Sequence, residues 1–339
     1  MSEVVVEWST MTVDVKKFIV WYLDYESRCN LRTCSKSDLD LVDSVPFKAT
    51  NMSIIESGSA MDTNKTMVRL NIDSFSIWFI GKNNVTKVDR SWRNGELLEW
   101  GERREETLQE SRYDVLKRHI GRFLPDGVFH AISVCFSSLA IGPMDGWRLK
   151  CKRLELNELT PEHVASWMSK LEWKLIALSV WTATFSVPRN VLETSEVLRL
   201  NAETEMTDED LDQVQAADFL VHSNHITWEG VKRFIAKFLR HGKKNDDFTI
   251  NIPVARDFDF CRMVPNHVLF RKLEFQLESD VEFEAIIYGG FSNKHGIQNA
   301  RKLSVSRTGL RDGLDVSIDC FIMERPLMER STLWPFTLN

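Results

Sequence analysis

The chain has 339 residues, 43% of them hydrophobic and 27% charged, with 11 tryptophans, enough apolar material for one large domain or two ordinary ones. Its net charge of -6 argues against a nucleic-acid partner, because phosphate binding draws on a basic field. The first residues are acidic and polar and no apolar run reaches membrane-spanning length, so neither a secretory signal nor a membrane partner is expected.

Cys29, Cys34, Cys135, Cys151, Cys261 and Cys320 show no CxxC spacing, which speaks against a structural zinc. Free thiols in a reducing compartment are the simpler reading, and the expected location is intracellular, cytoplasmic or nuclear. The basic runs Lys232-Arg233 and Arg240 to Lys244 read as solvated helix ends.

From the N-terminus, Val15, Phe18, Ile19, Tyr22 and Leu23 recur at helical spacing and predict one apolar helix face. Asp24 to Ser27 interrupts the pattern, with Ser27 as the cap of a second helix through Leu31 and Cys34. Ser35 or Ser37 caps a third helix carrying Leu39, Leu41 and Val42, and Pro46 stops it. Three such short helices cannot bury a self-sufficient core, so the head needs a partner or the rest of the chain to cover it.

Phe47 to Ile55 and Val68 to Ile80 read as strands separated by a polar stretch, Glu56 to Thr66. Arg90 to Ser111 is dense in Arg and Glu and reads as a solvated excursion, followed by an amphipathic helix from Tyr113 to Leu124. Apolar triplets then recur at Ile132–Val134, Leu154–Leu156, Leu178–Val180, Leu198–Leu200, Phe219–Val221 and Phe248–Ile250, with starts 22, 24, 20, 21 and 29 residues apart. That period fits one strand plus a turn of helix per unit, as in leucine-rich-type solenoids, though the Asn ladder of standard repeats is missing. Between the triplets, Thr160 ahead of Pro161, Thr207 ahead of Asp208-Glu209-Asp210, and Thr227 ahead of Trp228 mark helix starts, with Gly242 as the last stop. Val268 to Leu277, Phe283 to Ile287, Lys302 to Ser306 and Leu314 to Met323 predict closing strands, with turns at Gly289-Gly290 and Asp312-Gly313.

Chemistry-bearing constellations are sparse. His222 and His225 sit three apart on a strand, hence on opposite faces, and cannot share a metal there. Asp208, Glu209, Asp210 and Asp212 lack the glycine-containing spacing of a calcium loop. There is no GxSxG elbow, and neither Gly121 through Gly127 nor Gly289-Gly290 forms a phosphate-cradling loop leading into a helix. Trp167, Trp173, Trp181 and Trp228 read more simply as packing residues than as a binding patch. The expectation is a non-enzymatic protein with no cofactor and no metal.

Three stretches carry a family resemblance. Met11-Thr-Val-Asp-Val-Lys-Lys-Phe-Ile-Val-Trp-Tyr-Leu-Asp24 resembles the opening of an F-box, and Arg28-Cys-Asn-Leu-Arg-Thr-Cys-Ser-Lys36 with Leu39 to Ser44 resembles its second and third helices. The wording is similar to the divergent F-box family expanded in nematodes. Met206 to Leu239 is similar to the F-box-associated type 2 region, and Ser304-Val-Ser-Arg307 through Asp312-Gly313 and Ser317-Ile318 resembles the strand that often ends such chains. Thr12 stands where the family has proline, Met11 where it has leucine, Asp38 where many members have an aromatic residue, and Lys232 where the associated region has asparagine.

The resemblance implies an α/β chain with a three-helix F-box head, residues 1–46, and an F-box-associated region, residues 47–339. The second would be a degenerate leucine-rich-repeat-like α/β solenoid with C-terminal strands. It further implies a substrate receptor of a ubiquitin ligase that docks on a Skp-type adaptor, and through it a cullin, while presenting an unknown target protein. The contacts it carries over are Met11, Val15, Ile19, Tyr22, Leu23, Leu31 and Cys34, with Ile19, Leu23 and Leu31 as central anchors. The rival expectation is a repeat scaffold that no longer binds the adaptor.

Overall fold

The computed structural model describes residues 7–59, 62–82, 84–92, 104–124, 127–241, 246–254, 262, 270–276, 281–292, 298–308 and 314–324. The fold is mixed α/β, with seven α-helices among the described residues, and it divides into two compact units near Leu175. Each unit is built around a β-sheet. No helix among the described residues is long and apolar enough to cross a membrane.

The first unit opens with a single helical turn, Trp8–Thr10, and three short helices, α1 (Val13–Tyr22), α2 (Tyr25–Arg32) and α3 (Lys36–Asp43). An antiparallel meander follows: β1 (Ala49–Ser59), β2 (Asp62–Ile72), β3 (Phe75–Lys82), β4 (Val85–Trp92) and β5 (Arg104–Leu108). The single strand expected over Val68 to Ile80 is therefore a hairpin. Its apolar positions change parity, from Leu70 and Ile72 to Phe75, Ile77 and Phe79, and all five are buried. That switch is the register mark of a two-residue turn, since side chains alternate faces along a strand. Asp73 makes the turn in the left-handed region at φ 52°, and its carboxylate accepts the Thr50 and Asn51 amides at 2.9 and 2.8 Å. The polar stretch Glu56 to Thr66 is largely strand too, because β1 and β2 pair there.

Arg90 to Ser111 is not wholly a solvated excursion. Its ends complete β4 and form β5, and Arg90 meets Glu106 across that pair at 3.1 Å. Ser111 then caps α4 (Arg112–Phe123), whose Val115, Leu116 and Ile120 are fully buried as the helix packs on β2, β3 and β4. The chain continues through β6 (Val128–Ser137), β7 (Arg148–Lys150), β8 (Arg153–Asn157) and α5 (Pro161–Met168). Strands β1, β6 and β8 run parallel, and β7 pairs with β6. Trp167 of α5 stacks on Phe136 of β6 at 3.7 Å and lies among Phe129 and Trp147, so it is core, not part of a surface patch.

The second unit holds β9 (Ala177–Phe185) except its Val180–Thr182, then β10 (Val197–Thr204), α6 (Asp208–Gln213), β11 (Asp218–Ser223), α7 (Trp228–His241) and β12 (Asp247–Val254). The repeated triplets lie side by side here: Leu198 opposes Phe219, which opposes Phe248, and Leu200, Val221 and Ile250 follow in the same register. In the first unit the alignment is two residues off expectation. Val134 and Phe136 oppose Leu154 and Leu156, and Ile132 is exposed, because the inward face of β6 changes parity after Ala131.

The helix starts follow local chemistry. Thr160 and Thr207 accept amide hydrogen bonds from the first turns of α5 and α6, and Thr207 forms a reciprocal capping box with Asp210. Phe234 of α7 reaches Phe219 and Phe248 at 5.6 and 5.1 Å. Gly242, Pro125 and Asp312-Gly313 lie outside the described residues.

Strands β13 (Phe270–Gln276), β14 (Val281–Ser292), β15 (Gln298–Thr308) and β16 (Leu314–Glu324) form an antiparallel series that joins β12 through β16. Gly289-Gly290 lies within β14 and not at a turn. The ladder slips between Tyr288 and Ser292, an irregularity of the kind glycine tolerates at little steric cost.

Asp208 couples α6 and α7. Its carboxylate accepts the Thr227 amide at 2.8 Å and hydroxyl at 2.7 Å, and it fills the space where Gly230 would carry a Cβ. Alanine ordinarily favours a helix over glycine, yet Gly230→Ala is expected to destabilise the chain by about 1–3 kcal/mol, because the methyl group collides with a pinned carboxylate. Adding Asp208→Ala should recover much of that loss in urea melts, and additive losses would contradict the coupling.

Candidate functional site

The three-helix head is held by a small apolar cluster and one buried cation. Val20, Val42 and Val45 form the cluster, with Trp8, Leu23, Leu31 and Leu41 packed around it. Arg28 of α2 is buried beside it and donates to the carbonyls of Val45 at 2.8 Å, Pro46 at 3.3 Å and Leu23 at 3.4 Å. Its guanidinium lies 5.1 Å from the centre of the Phe47 ring. One planar fork thus ties the exit of α1 to the exit of α3. Burial pulls this guanidinium down to about 10, still charged at neutral pH.

The joints between helices are short. Leu23 and Asp24 are extended, and the Asp24 carboxylate accepts the Ser27 amide at 2.7 Å, so Asp24, and not Ser27, caps α2. A carboxylate on the residue just before the helix reaches the orphan amide of the first turn directly. Ser35 caps α3, and its hydroxyl donates to Asp38 at 2.7 Å. The Trp8 indole donates to the other Asp38 oxygen at 2.9 Å, locking the N-terminal turn onto α3. Arg32 and Asp43 join α2 to α3 by an ion pair at 3.0 Å. Tyr25 packs against Phe47 and Phe75, seating α2 on the first sheet, and burial pushes its hydroxyl well up.

With the core so small, most of α1 stays outside. Val20 is its one fully buried residue, whereas Val13, Val15, Phe18, Trp21 and Tyr22 are exposed, Phe18 by 64% and Tyr22 by 73%. At about 100° per residue, Val15, Phe18 and Tyr22 fall within an arc of about 60°. Phe18 and Tyr22 meet edge to face at 5.1 Å. Large apolar side chains contiguous on a helix and open to solvent mark a surface that another body covers.

Among the residues singled out from the sequence, Val15, Ile19 and Tyr22 share α1: Val15 and Tyr22 are exposed and Ile19 is half-buried on the flank. Met11 is half-buried just before the helix, and Cys34 is exposed past the C-cap of α2. Leu23 and Leu31 turn inward onto the valine cluster and support the head. Phe18, the most exposed residue of the stripe after Tyr22, belongs with Val15 and Tyr22. The i, i+3, i+7 spacing carried that signal, but apolar residues all round α1 hid which side faced the core.

Elsewhere, burial pushes the thiols of Cys135 and Cys151 up to about 12, with Glu155 adding to the effect at Cys135. Such thiols are poor nucleophiles at neutral pH. Among the described residues no group of three His, Cys, Asp or Glu side chains converges to hold a metal.

Over most of its length the chain is similar to an F-box protein. That relative, an uncharacterized F-box protein of Caenorhabditis elegans, is 25% identical over 273 residues, covering 69% of this chain and 67% of its own. No protein-family profile matches the chain, and no solved structure matches it.

Two outcomes test the head. Arg28→Lys keeps the charge but loses the fork, and should cost about 2 kcal/mol in thermal melts. Asp38 is held below the ordinary carboxylate value, first by the Ser35 hydroxyl and then by the Trp8 indole. A carboxyl depressed in the folded state stabilises fully above its unfolded pKa, near about 4, and loses that contribution as pH falls through the lower folded value. The Trp8 indole proton should therefore exchange faster as pH drops below about 4, and Asp38→Asn should flatten that dependence.

Proposed function

We propose that the chain is a substrate-recognition subunit of a Skp–cullin–F-box ubiquitin ligase, working inside the cell with no catalytic chemistry of its own. Residues 1–46 act as the F-box head and residues 47–339 as the F-box-associated region, whose parallel strands with intervening helices serve as a degenerate repeat body that presents a target protein. The head docks on a Skp-type adaptor, and through it a cullin, by the open face of α1. The observation that carries this reading is the stripe of Val15, Phe18 and Tyr22 left exposed on a ten-residue helix, in a chain similar to an F-box protein. Ile19 and Met11 flank the contact, and Leu23 and Leu31 support it from behind.

A second reading, a protein-interaction scaffold without adaptor binding, draws on Thr12. It stands where the family's proline starts the first helix, and its side chain makes no capping hydrogen bond to α1.

The test is capture of a purified Skp-type adaptor by wild type and by Phe18→Asp plus Tyr22→Asp. Both positions are solvent-exposed, so the variant should keep its circular dichroism and melting temperature while adaptor affinity falls by at least about tenfold. Leu23→Asp plus Leu31→Asp should instead unfold the head. No capture by folded wild type would overturn the ligase reading and leave the scaffold.

A further inference from the structure

In the first unit, α1 is fastened at one end by packing and at the other by an aromatic side chain from outside the helix. Val20, in its last turn, is its buried residue, whereas none of Val13 to Lys17 is buried. Its first turn has no side-chain cap, since Thr12 makes no capping hydrogen bond. Val13 lies seven residues before Val20, about 10 Å along the axis, so packing at Val20 leaves the start of the helix free to swing. The turn Trp8–Thr10 reaches that end. Trp8 packs against the valine cluster, and its indole N–H donates to Asp38 of α3 at 2.9 Å. The Asp38 carboxylate is itself held, because its other oxygen accepts the Ser35 hydroxyl at 2.7 Å. From α1, the Lys16 ammonium lies over the Trp8 ring, 5.4 Å from its centre, where a cation is attracted to the ring face. Two extended residues, Met11 and Thr12, join the turn to the helix, so placing the turn also places the start of α1.

We propose that Trp8–Thr10 is a strap and Trp8 a positioning residue, fixing the direction of α1 so that Val15, Phe18 and Tyr22 are preset for the Skp-type adaptor. The identity of the partner rests on the receptor reading above, whereas the strap itself does not. A helix already aimed loses less freedom on docking than one that swings, and the difference appears as affinity. Trp8 stands ahead of the stretch, Met11 onward, that resembles an F-box, so the resemblance gives it no role. Its ring is half-buried against the head and its N–H is turned to Asp38, which suits a support more than a contact. Lys16 and Asp38 hold that ring from α1 and α3, so the strap joins the two helices at the end that Val20 and Val42 do not reach.

The experiment uses the full chain and compares wild type with Trp8→Ala, Trp8→Phe and Arg32→Ala. Trp8→Phe keeps a ring on the cluster but loses the indole N–H, and Arg32→Ala breaks the ion pair between α2 and α3 instead. The readouts are thermal melting, amide hydrogen exchange resolved by helix, and affinity for a purified Skp-type adaptor. Trp8→Ala should speed exchange in the first half of α1 about tenfold, leave α2 and α3 near wild type, and weaken adaptor binding about fivefold. Trp8→Phe should move both by about threefold, and it decides the matter if the alanine variant does not fold. Arg32→Ala should lower the melting temperature while α1 exchange and adaptor affinity stay at wild-type level. Unchanged α1 exchange in the folded Trp8 variants overturns the strap, as does a rise spread evenly over the three helices. Faster α1 exchange with unchanged affinity overturns the positioning role, and so does an affinity loss that comes without faster exchange or that Arg32→Ala reproduces. Wild type that captures no adaptor overturns the receptor reading instead, and the exchange pattern then still decides the strap.

Discussion

Everything at the N-terminal end depends on where the Arg28 guanidinium goes. Among the described residues, the helical head has three buried valine side chains at its core, so backbone carbonyls at its two exits would otherwise be open to water. Arg28 answers three of them from one rigid plane, at Leu23, Val45 and Pro46. An arginine suits this position because its fork is pre-shaped for several acceptors, and the Phe47 ring beside it tolerates the desolvated cation. With the exits tied down, the head closes without drawing the remaining apolar residues of α1 inward. Its candidate interaction face is a direct consequence of that economy.

The body of the chain follows a different logic. Parallel strands need a crossover between neighbours, and the recurring triplets supply strands whose inward residues are covered by α5, α6 and α7. In the second unit the in-register opposition of Leu198, Phe219 and Phe248 turns a sequence period into a physical row. The first unit adds an antiparallel meander, covered by α4 and joined to the parallel strands through β1. Polar residues then collect on the outward side of the sheets. On β7, Arg148 and Lys150 share Glu172 at 2.8 and 3.3 Å; on β10 and β11, Arg199 and Asp218 pair at 2.6 Å.

Much of this was legible from the sequence because the causes are local. Thr160, Thr207 and Ser35 cap helices wherever their hydroxyls meet a free amide, and triplet spacing marks strands because side chains alternate. The C-terminal strands were visible for the same reason. The hairpin at Asp73 was recorded in the parity of Leu70, Ile72, Phe75 and Ile77, although alternation alone reads as one strand unless the shift is noticed. β5 was missed because Arg- and Glu-rich edge strands carry no apolar alternation; they are recognised by a partner, here β4, and not by composition.

The sequence by itself determined the helices, the strands with apolar alternation, most of the helix caps and the apolar richness of α1, all of which depend on neighbours a few residues away. The tertiary structure alone decided which of those apolar residues became core. Val20, Leu23 and Leu31 face inward because Val42 of α3 and Val45 just after it arrive on that side, and Val15, Phe18 and Tyr22 are left outside because no described residue covers the other. It also decided that Trp167 is packed within the core while Trp173 stands among cations on the surface. The physical reason is the same in both cases: burial is a property of contacts between segments distant in sequence, and no local pattern on a helix with apolar residues on every side records which segment will come to cover it.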